Sequence, residues 1–164
     1  MKLTEGHIHI AVRRFLKRNG WQLIAGEYPG GSDDELYALC IVDPEVACDS
    51  SPDPRRHSKG EIIPDIIAYK DGVLLIVEAK PKYNIYDKEK LLSLLTIRYH
   101  DLIIAIAKFA IEKNMPYLLP VSNLHFTLAL AFSYNSNAPI PDIGFVYIRV
   151  KSLDDATWQE GESR

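Results

Sequence analysis

The chain has 164 residues, 47% of them hydrophobic, with a formal net charge of −3 and a pI near 5.9. That length suits one domain with a substantial core, and the mild acidity argues against a passive coat on nucleic acid while leaving room for a local basic patch. No stretch is long and apolar enough to span a membrane, and the N-terminus has no secretory apolar region, so a cytoplasmic protein without membrane contact is expected.

Thr4–Arg18 predicts an amphipathic helix, with Thr4 as its cap and Ile8, Val12, Phe15 and Leu16 as the apolar stripe. Glu5 lies one turn before Ile8 and His9, on the inward side, where it either joins a site or favours the helix dipole. His7 and His9 read as partly exposed surface histidines. Arg13, Arg14, Lys17 and Arg18 complement the negative pole of the helix or meet phosphates. Asn19-Gly20 ends the helix. Trp21–Tyr28 predicts a strand, Pro29-Gly30-Gly31-Ser32 a turn, and Leu36–Val42 a second, buried strand that can pair with the first. Cys40 and Cys48 lack metal-site spacing, and Cys40 reads as a small buried hydrophobe. Residues 43–60 carry three prolines and several acids and then Arg55-Arg56-His57-Ser58-Lys59, with no helix or strand period. This is a long inserted loop, either a phosphate-contacting arm built on Arg55, Arg56 and Lys59 or a solvated insertion.

Ile66–Tyr69 and Val73–Val77 are apolar runs separated by Lys70, Asp71 and Gly72, and Asp-Gly is a strong hairpin-turn signal because both positions need positive φ. With Asp71-Gly72 as the turn, Lys70 faces Val73, Tyr69 faces Leu74, and four pairs beyond that Asp65 faces Glu78. Opposed residues share a face, with Cβ atoms ~5 Å apart, and Lys80 follows Glu78 by two. Asp65, Glu78 and Lys80 are therefore expected on one face at the open end of the hairpin. Two opposed carboxylates repel each other, and a hard divalent cation would offset that repulsion. Val73–Val77 is apolar at every position, as in a strand covered on both faces.

Further on, Asp87–Asn114 predicts a long helix capped by Asp87, with a kink or break near Tyr99–Asp101 and a broad apolar face. Tyr117–Val121 predicts a short strand, His125–Tyr134 an alternating strand, and Phe145–Val150 a last strand antiparallel to it. Residues 1–152 are read as one domain and 153–164 as a polar, frayed tail, apart from docking of Trp158.

Pro64-Asp65, twelve residues, then Glu78-Ala79-Lys80 resembles the PD-(D/E)xK nuclease motif, found in many restriction endonucleases and Holliday-junction resolvases. The resemblance covers roughly Thr4–Val121. It implies a restriction-endonuclease-like α/β fold, a mixed β-sheet flanked by helices with the motif on a central hairpin. It further implies that Asp65 and Glu78 are metal ligands, that the Ala79 carbonyl is another, and that Lys80 is the catalytic lysine. Glu5 matches by position a glutamate that family members carry on the first helix. The expected cofactor is Mg²⁺, with Mn²⁺ as a substitute. The expected activity is phosphodiester hydrolysis in nucleic acid, DNA ahead of RNA, of a restriction or repair/resolvase type. Lys82, with Lys88 and Lys90 close by, is an expected nucleic-acid contact. A histidine on the first helix also resembles viral cap-snatching endonucleases, which makes RNA cleavage an alternative. A non-catalytic binding or subunit module with the same fold is another. Double-strand cleavage needs two centres, and with the apolar breadth of the long helix this implies a homodimer.

Overall fold

The computed structural model of the chain describes residues 2–29, 36–42 and 61–161. The inserted loop, with Arg55, Arg56 and Lys59, and most of the Pro29–Ser32 turn lie outside the described residues. The chain folds as α1 (Glu5–Arg18), β1 (Gln22–Gly26), β2 (Ile41–Val42), β3 (Glu61–Ile62), β4 (Ile66–Lys70), β5 (Val73–Ala79), α2 (Ile85–Leu94), α3 (Tyr99–Glu112), β6 (His125–Ser133), β7 (Phe145–Ser152) and β8 (Asp155–Glu160). The main sheet has six strands in the order β1-β4-β5-β6-β7-β8, mixed in direction, and β2 pairs with β3 in a small separate ladder.

The β4–β5 hairpin has the expected register, Lys70 opposite Val73 and Ile66 opposite Val77. Asp71 and Gly72 both have positive φ, 48° and 80°, as a tight hairpin turn of this hand requires. β5 is central and fully covered. Leu74 and Ile76 pack with Leu91, Leu94, Leu102 and Ile106 of α2 and α3. Leu75 and Val77 pack with Ile8, Val12 and Leu16 of α1. Each of these β5 side chains is wholly buried, worth ~1.5–3 kcal/mol apiece in apolar transfer, so the strand is the anchor of both layers.

Five elements differ from expectation. β1 pairs with β4 rather than with Leu36–Val42, where only Ile41 and Val42 are strand and Cys40 is exposed at the surface. The long helix is two helices. Asn84, not Asp87, caps α2, and the hydroxyls of Ser93 and Thr96 bond back to the carbonyls of Lys90 and Leu92, so their side chains compete with the helical ladder where the break falls. Pro116 and Pro120 lack the N–H groups a strand needs, and the segment forms 3₁₀ turns at Pro116–Leu118 and Val121–Asn123. β7 runs parallel to β6, because residues 134–144 cross back along the sheet without a helix. That crossover is pinned to the α2 side by Tyr83 N–H on Ser136 Oγ and by the Lys88–Asp142 ion pair. Last, residues 155–160 are not frayed but form β8, antiparallel to β7, with Trp158 stacked on Trp21 and Phe15. Arg14 and Arg18 hold the β7–β8 turn through the Asp154 carboxylate and carbonyl. Among the described residues no helix is long and apolar enough to cross a membrane.

Candidate metal centre at the open end of the hairpin

The strand ladder ends at Ile66–Val77, and Asp65 sits in the bend just before it. The Ala79 N–H donates to Asp65 Oδ2 at 2.8 Å, so this carboxylate extends the hairpin by one side-chain bond. It leaves the ladder in doing so but stays within side-chain hydrogen-bond reach of Glu78, as the register predicts, while Lys80 turns to Glu5 and Glu78 to Lys90.

On the α1 side, the start of the helix sets the geometry. Thr4 Oγ1 accepts the His7 N–H and His7 Nδ1 accepts the Thr4 N–H, a reciprocal cap that fixes the rotation of the first turn. Glu5 and His9, one turn apart, then project from the same face. The ligand atoms of Glu5, His9 and Asp65 lie within 4.8 Å of one another. His9 is wholly buried, which corrects the surface reading of this histidine. Its Nε2 is 3.7 Å from Asp65 Oδ2, too far for a hydrogen bond, and among the described residues neither ring nitrogen has a hydrogen-bond partner. Buried polar atoms are nearly always satisfied by protein, water or an ion, so this imidazole, beside two carboxylates, is available to a water or a cation. Burial pushes its pKa below the usual value of 6.5, against the opposite pull of Asp65 and Glu5, and the ring is a neutral donor at neutral pH. Lys80 Nζ lies 3.3 Å from Glu5 Oε1. Burial alone would lower its pKa, but Glu5, Asp87 and Asp65 together raise it, and Lys80 stands beside the cluster as an ammonium.

Glu78 takes the other side. It alternates with Val77 and Ala79, which face α1, and so points toward α2. It is 2% exposed, and Lys90 Nζ is 2.9 Å from its Oε1. Burial first, and then the nearby Asp65 carboxylate, raise its pKa well above the usual 4.5, with Lys90 pulling the other way. Asp87, buried three residues before Lys90, is likewise raised by burial, against Lys90 and Lys80. Ala79 is buried and holds Asp65 through its N–H.

Lys82 is exposed and borders two adjoining clefts. One, of about 420 Å³, is lined by Tyr83, Asn135, Ser136 and Asn137 as well. The other, of about 250 Å³, is lined also by Lys2, Leu3, Pro81, Ser133 and Asn135. Neither lining includes a carboxylate, and both clefts lie past the carboxyl ends of β5 and β6, where open α/β sheets hold their ligands.

Sequence reasoning expected Glu5, Asp65, Glu78 and Lys80 at one site, raised a first-helix histidine only through the cap-snatching alternative, and took Lys90 for nearby positive charge without pairing it to Glu78. The signal for His9 was its i+4 spacing from Glu5 alongside the buried positions Ile8 and Val12. No family model matches this chain, and no curated protein or solved structure matches it.

Proposed function

We propose that this chain is a divalent-metal-dependent endonuclease of the PD-(D/E)xK kind, with a restriction-endonuclease-like fold. The observation that carries the reading is the wholly buried, unbonded imidazole of His9 converging with Glu5 and Asp65 beside the Lys80 ammonium. Two carboxylates and a neutral imidazole suit Mn²⁺ or Mg²⁺, and the imidazole tilts the set toward Mn²⁺. Glu5, His9 and Asp65 hold the ion, and the second oxygen of Glu78 and the Ala79 carbonyl lie at the adjoining strand end to complete the set. When bound, the ion polarises a phosphoryl oxygen and acidifies a water.

The protein's own groups do the rest. Asp65, tied to the Ala79 N–H, and His9, packed in the core, keep their places without substrate. The Lys80 ammonium stabilises the extra charge that grows on phosphorus oxygens as water attacks. Lys82 and Lys2 line the exit past the β5 end and meet the flanking phosphates. DNA remains the leading substrate. The histidine in the centre favours the second reading, in which the substrate is RNA. The chain works as a homodimer, for which the exposed Ile104 and Ile111, seven residues apart on α3, with Ile97 in the turn before it, supply an apolar patch.

The test is cleavage of supercoiled plasmid and of end-labelled single-stranded RNA, with Mn²⁺ or Mg²⁺ and with EDTA. Metal-dependent cutting of either substrate, lost in EDTA, is the expected result, and the preferred substrate decides between the two readings. Intact DNA and RNA with both metals would point to a non-catalytic binding module instead.

A further inference from the structure

We infer that Lys90 is a cation built into the centre: its ammonium holds the side of Glu78 that a second divalent ion would need, and the centre therefore takes one ion. This rests on the metal-centre reading above. Two ions in a phosphodiesterase centre sit ~3.5–4 Å apart, and charges that close need anionic oxygen ligands on both sides, of which the protein can supply only carboxylates. Two carboxylates stand at the strand ends. Asp65 already accepts the Ala79 N–H and faces His9 and Glu5, on the α1 side. The two carboxyls lie within side-chain hydrogen-bond reach of each other, so a second ion beside Asp65 also meets Glu78, whose Oε1 is in contact with Lys90 Nζ at 2.9 Å.

That contact is set by the fold. Glu78 is 2% exposed and held by a central strand, and the Lys90 side chain, 35% exposed, reaches it from α2. A dication on that side must push the ammonium back into water while facing its charge. Lys90 thus supplies, covalently and permanently, one unit of the positive charge that a second ion would bring. Asp87, buried three residues before it on α2, also feels that ammonium as its main attraction. Replacing Lys90 by a neutral residue leaves Glu78 and Asp87 as buried carboxyls without their shared cation.

Manganese as its own probe tests this. Calorimetric titration of the full chain with Mn²⁺ should give one ion per chain, and the electron paramagnetic resonance spectrum at saturation should be that of isolated Mn²⁺. Lys90→Met should bind two ions and show the exchange-coupled spectrum of a close pair, while Lys90→Arg, which keeps a cation, should stay at one. No Mn²⁺ bound to the wild type overturns the metal-centre reading itself. Two coupled ions in the wild type leave that reading intact and overturn the role of Lys90, as does a Lys90→Met protein that is folded and still takes one. Should Lys90→Met fail to fold, Lys90→Gln keeps a polar partner for Glu78 without the charge and carries the same expectation.

Discussion

The two sides of the hairpin's open end differ in how finished they are. On the α2 side Glu78 has a cation 2.9 Å away in Lys90, an ion pair in which Oε1 makes no hydrogen bond among the described residues. On the α1 side Glu5, His9 and Asp65 converge, and the histidine is buried without a hydrogen bond. Each flank thus keeps a buried polar atom without a hydrogen bond, which costs about 1–3 kcal/mol, but only Glu78 has a facing ammonium to offset its charge. On the proposed function, the α1 side holds the ion and the α2 side supports it through Glu78, although both draw on residues of one hairpin.

The sharpest way to break this comparison is to remove ligands from each side. Asp65→Ala and His9→Ala should each weaken Mn²⁺ binding by more than the ~10–100-fold usual for loss of an outer-sphere partner, and should abolish cleavage. Lys80→Ala should keep most of the metal affinity while lowering the cleavage rate by roughly 10²–10³-fold, as for loss of one charge-stabilising donor. Metal titration alongside single-turnover cleavage measures both. Asp65→Ala or His9→Ala protein with near wild-type Mn²⁺ affinity would mean that the α1 side is not the working one.

The closed side should respond in stability instead. Lys90→Met strands the Glu78 carboxyl, and the loss should approach but not reach the ~3–5 kcal/mol of a broken buried pair, because Lys90 is 35% exposed and Glu78 can take up a proton. Adding Glu78→Leu to Lys90→Met should recover most of that loss, since an apolar replacement of both partners removes the stranded charge. Urea melts of the single and double variants in EDTA check this. A double variant no more stable than Lys90→Met alone would mean that the pair is not the unit that closes this flank.

How far this division could be seen in the sequence depends on where the deciding force lies. The hairpin register was legible because Asp71-Gly72 and the flanking apolar runs are local, and one slipped residue would turn every side chain over. Beyond the last ladder pair the same arithmetic fails. Asp65 obeys its bond to the Ala79 N–H, and Glu78 obeys a helix whose rotation is set at Asn84. Lys90 reaches Glu78 from the second turn of that helix, a contact that the sequence pattern does not announce. The parallel β7 was hidden because its crossover has no helix to announce it, and β8 because only Ala156 and Trp158 of its polar run face the α1 layer. His9 was visible in spacing but not in burial, since the Tyr28 and Arg13 groups around it come from packing.

The smallest expected effect separates the two sides by pH in metal-free protein. Glu78 has a folded pKa raised above 4.5, so between that value and its raised value the native state binds more protons than the unfolded chain. Its contribution to stability is then present in acid and is lost as pH rises through the folded pKa, with a limiting slope of about −1.4 kcal/mol per pH unit. His9 has a folded pKa lowered below 6.5, so between its lowered value and 6.5 the unfolded chain binds more protons. Its contribution is fully present above 6.5 and is lost as pH falls through that window, a slope of the opposite sign and similar limit. Melts of wild type, Glu78→Gln and His9→Gln in EDTA between about pH 5 and 8 should therefore fan out. Glu78→Gln removes the negative slope and gains on wild type toward alkaline pH. His9→Gln removes the positive slope and loses its disadvantage toward acid. Saturating Mn²⁺ should add stability at neutral pH and less of it in acid, where protons compete for His9 and the carboxylates, by RT ln(1 + [L]/Kd) at each pH. Two variants that shift the pH slope in the same direction would show that the flanks titrate as one cluster, and the division between a closed side and a working side would be wrong.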